Sequence, residues 1–94
     1  MKNIVILGAT GSIGEQALEV ARNGGYRVLG LAAGSNIEKL EAAAREFNVA
    51  AVGVFNEEKG RELKRRLADT ETEVFVGEEG VCRVAAIPAD ITLN

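Results

Sequence analysis

Apolar and polar positions along this chain switch repeatedly between two periods. Asn3 to Leu7 (NIVIL) is a near-continuous apolar run, as expected of a parallel strand buried on both faces. From Ser12 to Arg22 the apolar residues Ile13, Ala17, Val20 and Ala21 recur at helical spacing, which predicts a helix with that stripe on the core. Gly24-Gly25 closes it. Tyr26 to Ala33 (YRVLGLAA) predicts a second strand, and Asn36 to Phe47 a second helix with Ile37, Leu40, Ala44 and Phe47 as its stripe. Ser35 with Glu38 matches a capping box, with Asn36 as the alternative cap.

The same alternation continues to the C-terminus. Val49 to Phe55 reads as a third strand. Asn56 caps a third helix from Glu57 to about Ala68, with acids in its first turn and Lys64, Arg65 and Arg66 near its end, as the helix dipole favours. Leu63, Leu67 and Ala68 are its core residues, and Gly60 weakens it. Glu73 to Val76 is a short fourth strand, Glu78 to Ala86 a fourth helix carrying Val81, Val84 and Ala85, and Asp90 to Leu93 a fifth strand. Cys82, beside Val81, reads as a small core residue. Strands separated by helices imply right-handed crossovers and a parallel sheet. The fold class is therefore α/β, a partial Rossmann (doubly wound) sheet with expected strand order 3-2-1-4-5. The apolar fifth strand, followed by nothing to cover it, predicts the truncated N-terminal part of a longer protein, with residues 1–94 one domain.

The first strand–helix junction carries the candidate chemistry. It reads Gly8-Ala9-Thr10-Gly11-Ser12-Ile13-Gly14, a G-x-x-G-x-x-G variant of the dinucleotide fingerprint. Gly8 permits the tight turn, Gly11 lets a pyrophosphate approach the backbone, and Gly14 lets the helix pack on the sheet. The N–H groups of Ser12, Ile13 and Gly14 open the helix, where the dipole favours an anion, and the Thr10 and Ser12 hydroxyls can donate to phosphate oxygens. No Gly-Lys-Ser/Thr follows, which excludes a Walker phosphate loop.

The end of the second strand bears on which dinucleotide binds. NAD-preferring domains place an acid there to hold the ribose 2′-hydroxyl. This chain has Gly34, Ser35 and Asn36, with Lys39 one turn further on. Space, two polar side chains and a cation favour NADP.

Composition removes most other chemistries. There is no histidine and one cysteine, so no Ser-His-Asp triad, His-ligated zinc or Cys-rich metal site can be assembled. A net charge of −3 and a pI near 5.0 argue against a nucleic-acid partner. The apolar runs fall short of the roughly 20 residues a membrane helix needs. The lone cysteine and the absence of a signal pattern fit a cytoplasmic setting. Glu57-Glu58 and Glu78-Glu79 read as helix-start charges, not as an acid–base pair, because adjacent residues do not share a helix face.

ILGATGSIG, LAAGSN, NIEKLEAAAREFN, VAAVGVF, EEGVCRVA and PADITLN together resemble the N-terminal NADPH-binding region of the 1-deoxy-D-xylulose 5-phosphate reductoisomerase family. The resemblance implies that Thr10, Gly11, Ser12 and Ile13 hold the NADPH pyrophosphate and that Gly34, Ser35 and Asn36 hold the 2′-phosphate. Some members carry a basic residue where this chain has Ser35. It further implies a small-molecule substrate, deoxyxylulose phosphate, isomerised and reduced to 2-C-methyl-D-erythritol 4-phosphate with Mg or Mn. The metal ligands and catalytic residues are expected beyond Asn94, so this chain alone is expected to be inert, and a homo-oligomer is expected. Two other readings stay open: the cofactor domain of a semialdehyde-type NADP-dependent dehydrogenase, and a non-catalytic nucleotide-binding module.

Overall fold

The computed structural model describes residues 1–94. Strands and helices alternate without exception. They are β1 (Asn3–Leu7), α1 (Ser12–Gly24), β2 (Arg27–Ala33), α2 (Ile37–Phe47), β3 (Ala51–Val54), α3 (Glu57–Arg66), β4 (Glu73–Val76), α4 (Gly77–Ala85) and β5 (Ile91–Leu93). All five strands are parallel, in the order β4-β3-β2-β1-β5.

The α/β class and the parallel sheet are as expected, but the order 3-2-1-4-5 is corrected. The β3-β2-β1 core is present. β4 lies outside β3, and β5 takes the place beside β1 that was assigned to the fourth strand. The connection through α3 returns the chain next to β3, so β4 extends the row already being laid. Then α4 carries the chain back over β3, β2 and β1 to β5. The third crossover thus holds an extra helix–strand unit.

Alternation along each strand divides the core. Ile4, Ile6, Val28, Leu31, Val52, Val54 and Val74 face α1, α2 and α3 within one cluster of 19 buried residues. The other face holds Val5, Ala32 and Ala51 under Val84 of α4, four buried residues in all. Three helices cover one face and one helix crosses the other. Ion pairs tie the three together: Arg22 to Glu46, Arg45 to Asp69 at 3.0 Å, and Arg66 to Glu41 at 3.4 Å.

Several side chains lie elsewhere than expected. In α1 the buried stripe is Gly14, Ala17, Leu18 and Ala21, while Ile13 and Val20 are 73% and 58% exposed. Gly14 packs against the turn before it, which rotates α1 and leaves Ile13 and Val20 near Ile91 and Leu93 of β5. Cys82 is exposed, because Gly77, Gly80 and Val84 form the packed face of α4. Ala68 and Ala85 are exposed too. Gly60 does not simply weaken α3: a Cβ there would fall 2.4 Å from Cγ1 of Val76, so the glycine lets α3 lie against β4. Asn36, not Ser35, caps α2, accepting from the Lys39 amide at 3.2 Å.

Candidate functional site

The site begins where β1 ends. Gly8 has φ 68°, a conformation that side chains disfavour, and its carbonyl accepts from Gly11 N at 3.1 Å to close the turn. Ala9 N donates to Ala32 O at 2.8 Å, which ties the turn to the end of β2. Glu15 N to Gly11 O, at 2.8 Å, starts the helix. A Cβ on Gly14 would lie 2.2 Å from Gly8 O and 2.6 Å from the Ala9 backbone, so α1 can begin here only with glycine at that position.

Gly11 is different. It is the N-cap of α1 in ordinary extended geometry, φ −83° and ψ 175°. A Cβ there would meet Gly8 O at 3.5 Å, an ordinary contact. The fold therefore does not require glycine at this position. As a cap it also offers no side-chain acceptor, and no protein group accepts from the N–H groups of Ser12, Ile13 and Gly14. These three donors point outward at the positive end of the helix dipole.

The second part lies at the end of β2. Gly34, Ser35 and Asn36 are all exposed, and Gly34 O accepts from Asn56 N at 2.9 Å, which anchors the bend to the start of α3. Nothing lies within 4 Å of a Cβ built on Gly34, so this glycine too is not demanded by packing. The Asn36 side-chain oxygen is occupied in capping, whereas its amide nitrogen and the Ser35 hydroxyl make no hydrogen bond within the protein. Both parts of the site stand at the C-terminal ends of neighbouring parallel strands.

Two clefts flank the turn. One, of about 390 Å³, is lined by Gly8, Gly11, Ser12, Ile13 and Gly14, with Leu93 and Asn94 opposite. The other, of about 320 Å³, runs between α1 and α2 from Thr10, with Glu15 and Lys39 along its wall. At its far end Arg22 hydrogen-bonds Glu46 and holds that carboxyl below its ordinary range. The presence of Leu93 and Asn94 was not anticipated. It follows from β5 lying beside β1: the chain leaves β1 toward β2 and returns on the opposite side, which makes the β1–β5 gap a topological switch point. The glycine motif implied a crevice there, and its far wall depended on strand order.

A parallel sheet whose glycine turn feeds free helix-start amides into a switch-point crevice is the architecture of the dinucleotide-binding class of α/β domains. Comparison with known proteins narrows the class. The family described as 1-deoxy-D-xylulose 5-phosphate reductoisomerase matches residues 4–94. The enzyme of that name from Acetivibrio thermocellus is 52% identical over 87 residues, covering 93% of this chain and 23% of the relative. Its counterpart from Agathobacter rectalis is 45% identical, covering 100% and 25%. The solved Zymomonas mobilis reductoisomerase in complex with NADPH superposes with a TM-score of 0.92 at 30% identity, over 97% of this chain and 25% of that one. A reductoisomerase complexed with NADPH, fosmidomycin and magnesium superposes at 0.89, also at 30% identity, over 98% and 24%. The chain belongs to the 1-deoxy-D-xylulose 5-phosphate reductoisomerase family, and it spans about a quarter of the length of these relatives. This membership sets aside the semialdehyde-dehydrogenase alternative.

No helix is long and apolar enough to cross a membrane. No three Cys, Asp or Glu residues converge as metal ligands would.

Proposed function

We propose that residues 1–94 form the NADPH-binding portion of an enzyme that converts 1-deoxy-D-xylulose 5-phosphate to 2-C-methyl-D-erythritol 4-phosphate. The observation that carries this reading is the contrast among the glycines. Gly8 and Gly14 are needed by the turn itself, while Gly11 and Gly34 are open positions that packing leaves free to be any small residue. Glycine at those two points keeps the backbone accessible to a ligand.

In this reading Gly8 and Gly14 shape the turn, and the amides of Ser12 and Ile13 with the Thr10 and Ser12 hydroxyls hold the pyrophosphate. Gly34, Ser35 and Asn36 receive the ribose 2′-phosphate. NADPH supplies the hydride when bound; this chain's residues bind and orient it. The metal, the substrate phosphate and the reacting carbons belong to other parts of the enzyme, so residues 1–94 alone are inert. The net charge of −3 supports a small-molecule partner over nucleic acid, and a cytoplasmic setting fits the single thiol. Exposed Ile13 and Val20 beside β5 support burial against further protein, including a homo-oligomeric partner.

Calorimetric titration with NADPH and NADH tests the assignment. Binding of NADPH in preference to NADH is the expected result. Equal affinities would remove the role of Gly34, Ser35 and Asn36, and a protein that binds neither coenzyme would remove the function.

A further inference from the structure

Lys39 is fixed in the first turn of α2, its amide bonded to the Asn36 side chain at 3.2 Å. Helical side chains lean toward the N-terminus of their own helix, so the Lys39 chain leans back toward the start of α2. Its ammonium meets Glu15 Oε1 at 2.6 Å, across the cleft in the first turn of α1. This ion pair therefore stands between the two parts of the candidate site, in the same cleft as Thr10. Arg22, the other cation of that cleft, is held at its far end by both oxygens of Glu46. Arg45 and Arg66 are engaged by Asp69, Glu41 and Glu62.

We infer that Lys39 selects the 2′-phosphate of the coenzyme by leaving Glu15 for it. The inference rests on the reading of the glycine turn and bend given above, and names the residue that supplies the positive charge Ser35 lacks. The exchange is easy because the pair is solvated, with side chains 54% and 49% exposed, and such pairs are weakly held. A phosphate dianion offers Lys39 more charge than one carboxylate does. A bare 2′-hydroxyl offers none, so with NADH the ion pair stays closed. Glu15 is thus a competitor built into the site, and it sets how strongly the phosphorylated coenzyme is preferred.

A simpler role for Lys39 would be to neutralise Glu15, whose carboxylate stands in the first turn of the pyrophosphate-binding helix. The two roles separate in a set of titrations with NADPH and NADH on the wild-type chain, Lys39→Gln, Glu15→Gln and the double variant. Both positions are exposed, so the fold is unaffected. Lys39→Gln is expected to weaken NADPH about tenfold, the scale of one charge-assisted hydrogen bond, and to leave NADH unchanged. Glu15→Gln tightens NADPH and leaves NADH unchanged, and the double variant remains as weak for NADPH as Lys39→Gln. Equal losses for both coenzymes that the double variant restores would overturn the exchange in favour of neutralisation. No effect of Lys39→Gln on a wild type that binds NADPH would overturn it as well. A wild type that binds neither coenzyme overturns the proposed function and this inference with it.

Discussion

Two strands of this protein lead through a left-handed glycine into a helix, and the two junctions share that device. β1 turns at Gly8, φ 68°, into α1; β4 turns at Gly77, φ 78°, into α4. In each a second glycine lets the first helical turn lie on the backbone before it. A Cβ on Gly14 would fall 2.2 Å from Gly8 O, and one on Gly80 2.6 Å from the Phe75 carbonyl carbon. Neither helix has a side-chain cap. By backbone alone both could receive an anion. Charge separates them. The first turn of α4 carries Glu78 and Glu79, and the Glu57 carboxylate lies 3.4 Å from where a Cβ on Gly77 would be. The first turn of α1 carries a single acid, Glu15. The α4 dipole is satisfied by the protein's own acids, and the α1 dipole is left for a ligand. Glycine geometry makes a helix start available, and the side chains around it decide what can come.

Substitutions can break this comparison at several strengths. The largest effect is expected where the two junctions are the same. Gly14→Ala and Gly80→Ala each force a Cβ into backbone and should each cost on the order of 2–3 kcal/mol, read as a drop in thermal midpoint. If Gly14→Ala melted like wild type, the turn would not be packed as described. Next comes Gly11→Ala, which has room for its methyl. Its stability should fall by about 0.5–1 kcal/mol, since glycine is preferred to alanine at an N-cap, while NADPH affinity falls at least about tenfold. Unchanged affinity would mean that the coenzyme does not approach the backbone there.

A smaller effect sharpens the contrast in charge. Glu78→Gln with Glu79→Gln should destabilise by roughly 0.3–1 kcal/mol per site through the α4 dipole and leave NADPH binding unchanged. Loss of binding in that variant would place the ligand at the wrong junction. Smallest is the response to acid. Arg22, Arg66 and Arg45 hold Glu46, Glu62 and Asp69 below their ordinary values of 4.5, 4.5 and 3.8. Depressed carboxylates stabilise the fold above those ordinary values, and the contribution fades as pH falls through the lower folded ones. Because all three are solvated, the thermal midpoint should be flat at neutral pH and dip slightly below about pH 4, less so in high salt. A midpoint that fell between pH 7 and 5 would point to other groups.

Much of this was legible in the chain. The apolar run of β1, the stripe of α2, the Asn56 cap and the glycine stop after α1 are local features, each decided within one or two turns of chain. The glycine turn was legible for the same reason, since the positive φ of Gly8 and the close approach at Gly14 are written in glycine spacing. What misled was the face of α1. Ile13 and Val20 satisfy the helical period as well as Leu18 does, and periodicity cannot register that Gly14 must sit against the turn. Cys82 misled similarly, its neighbour Val81 marking the edge of the packed face and not its centre.

The residues alone determined that this protein alternates strand and helix, that its sheet is parallel, and that its first helix begins in a glycine turn with glycine at the cap. These follow from local sterics and hydrogen bonding, which act between near neighbours. Strand order was decided by tertiary structure, because whether β4 or β5 lies beside β1 depends on where α4 finds apolar surface to cross. That choice brings Leu93 and Asn94 to face the glycine turn. The pairing of Lys39 with Glu15 was decided the same way, by residues 24 positions apart in sequence on two helices that meet over one sheet.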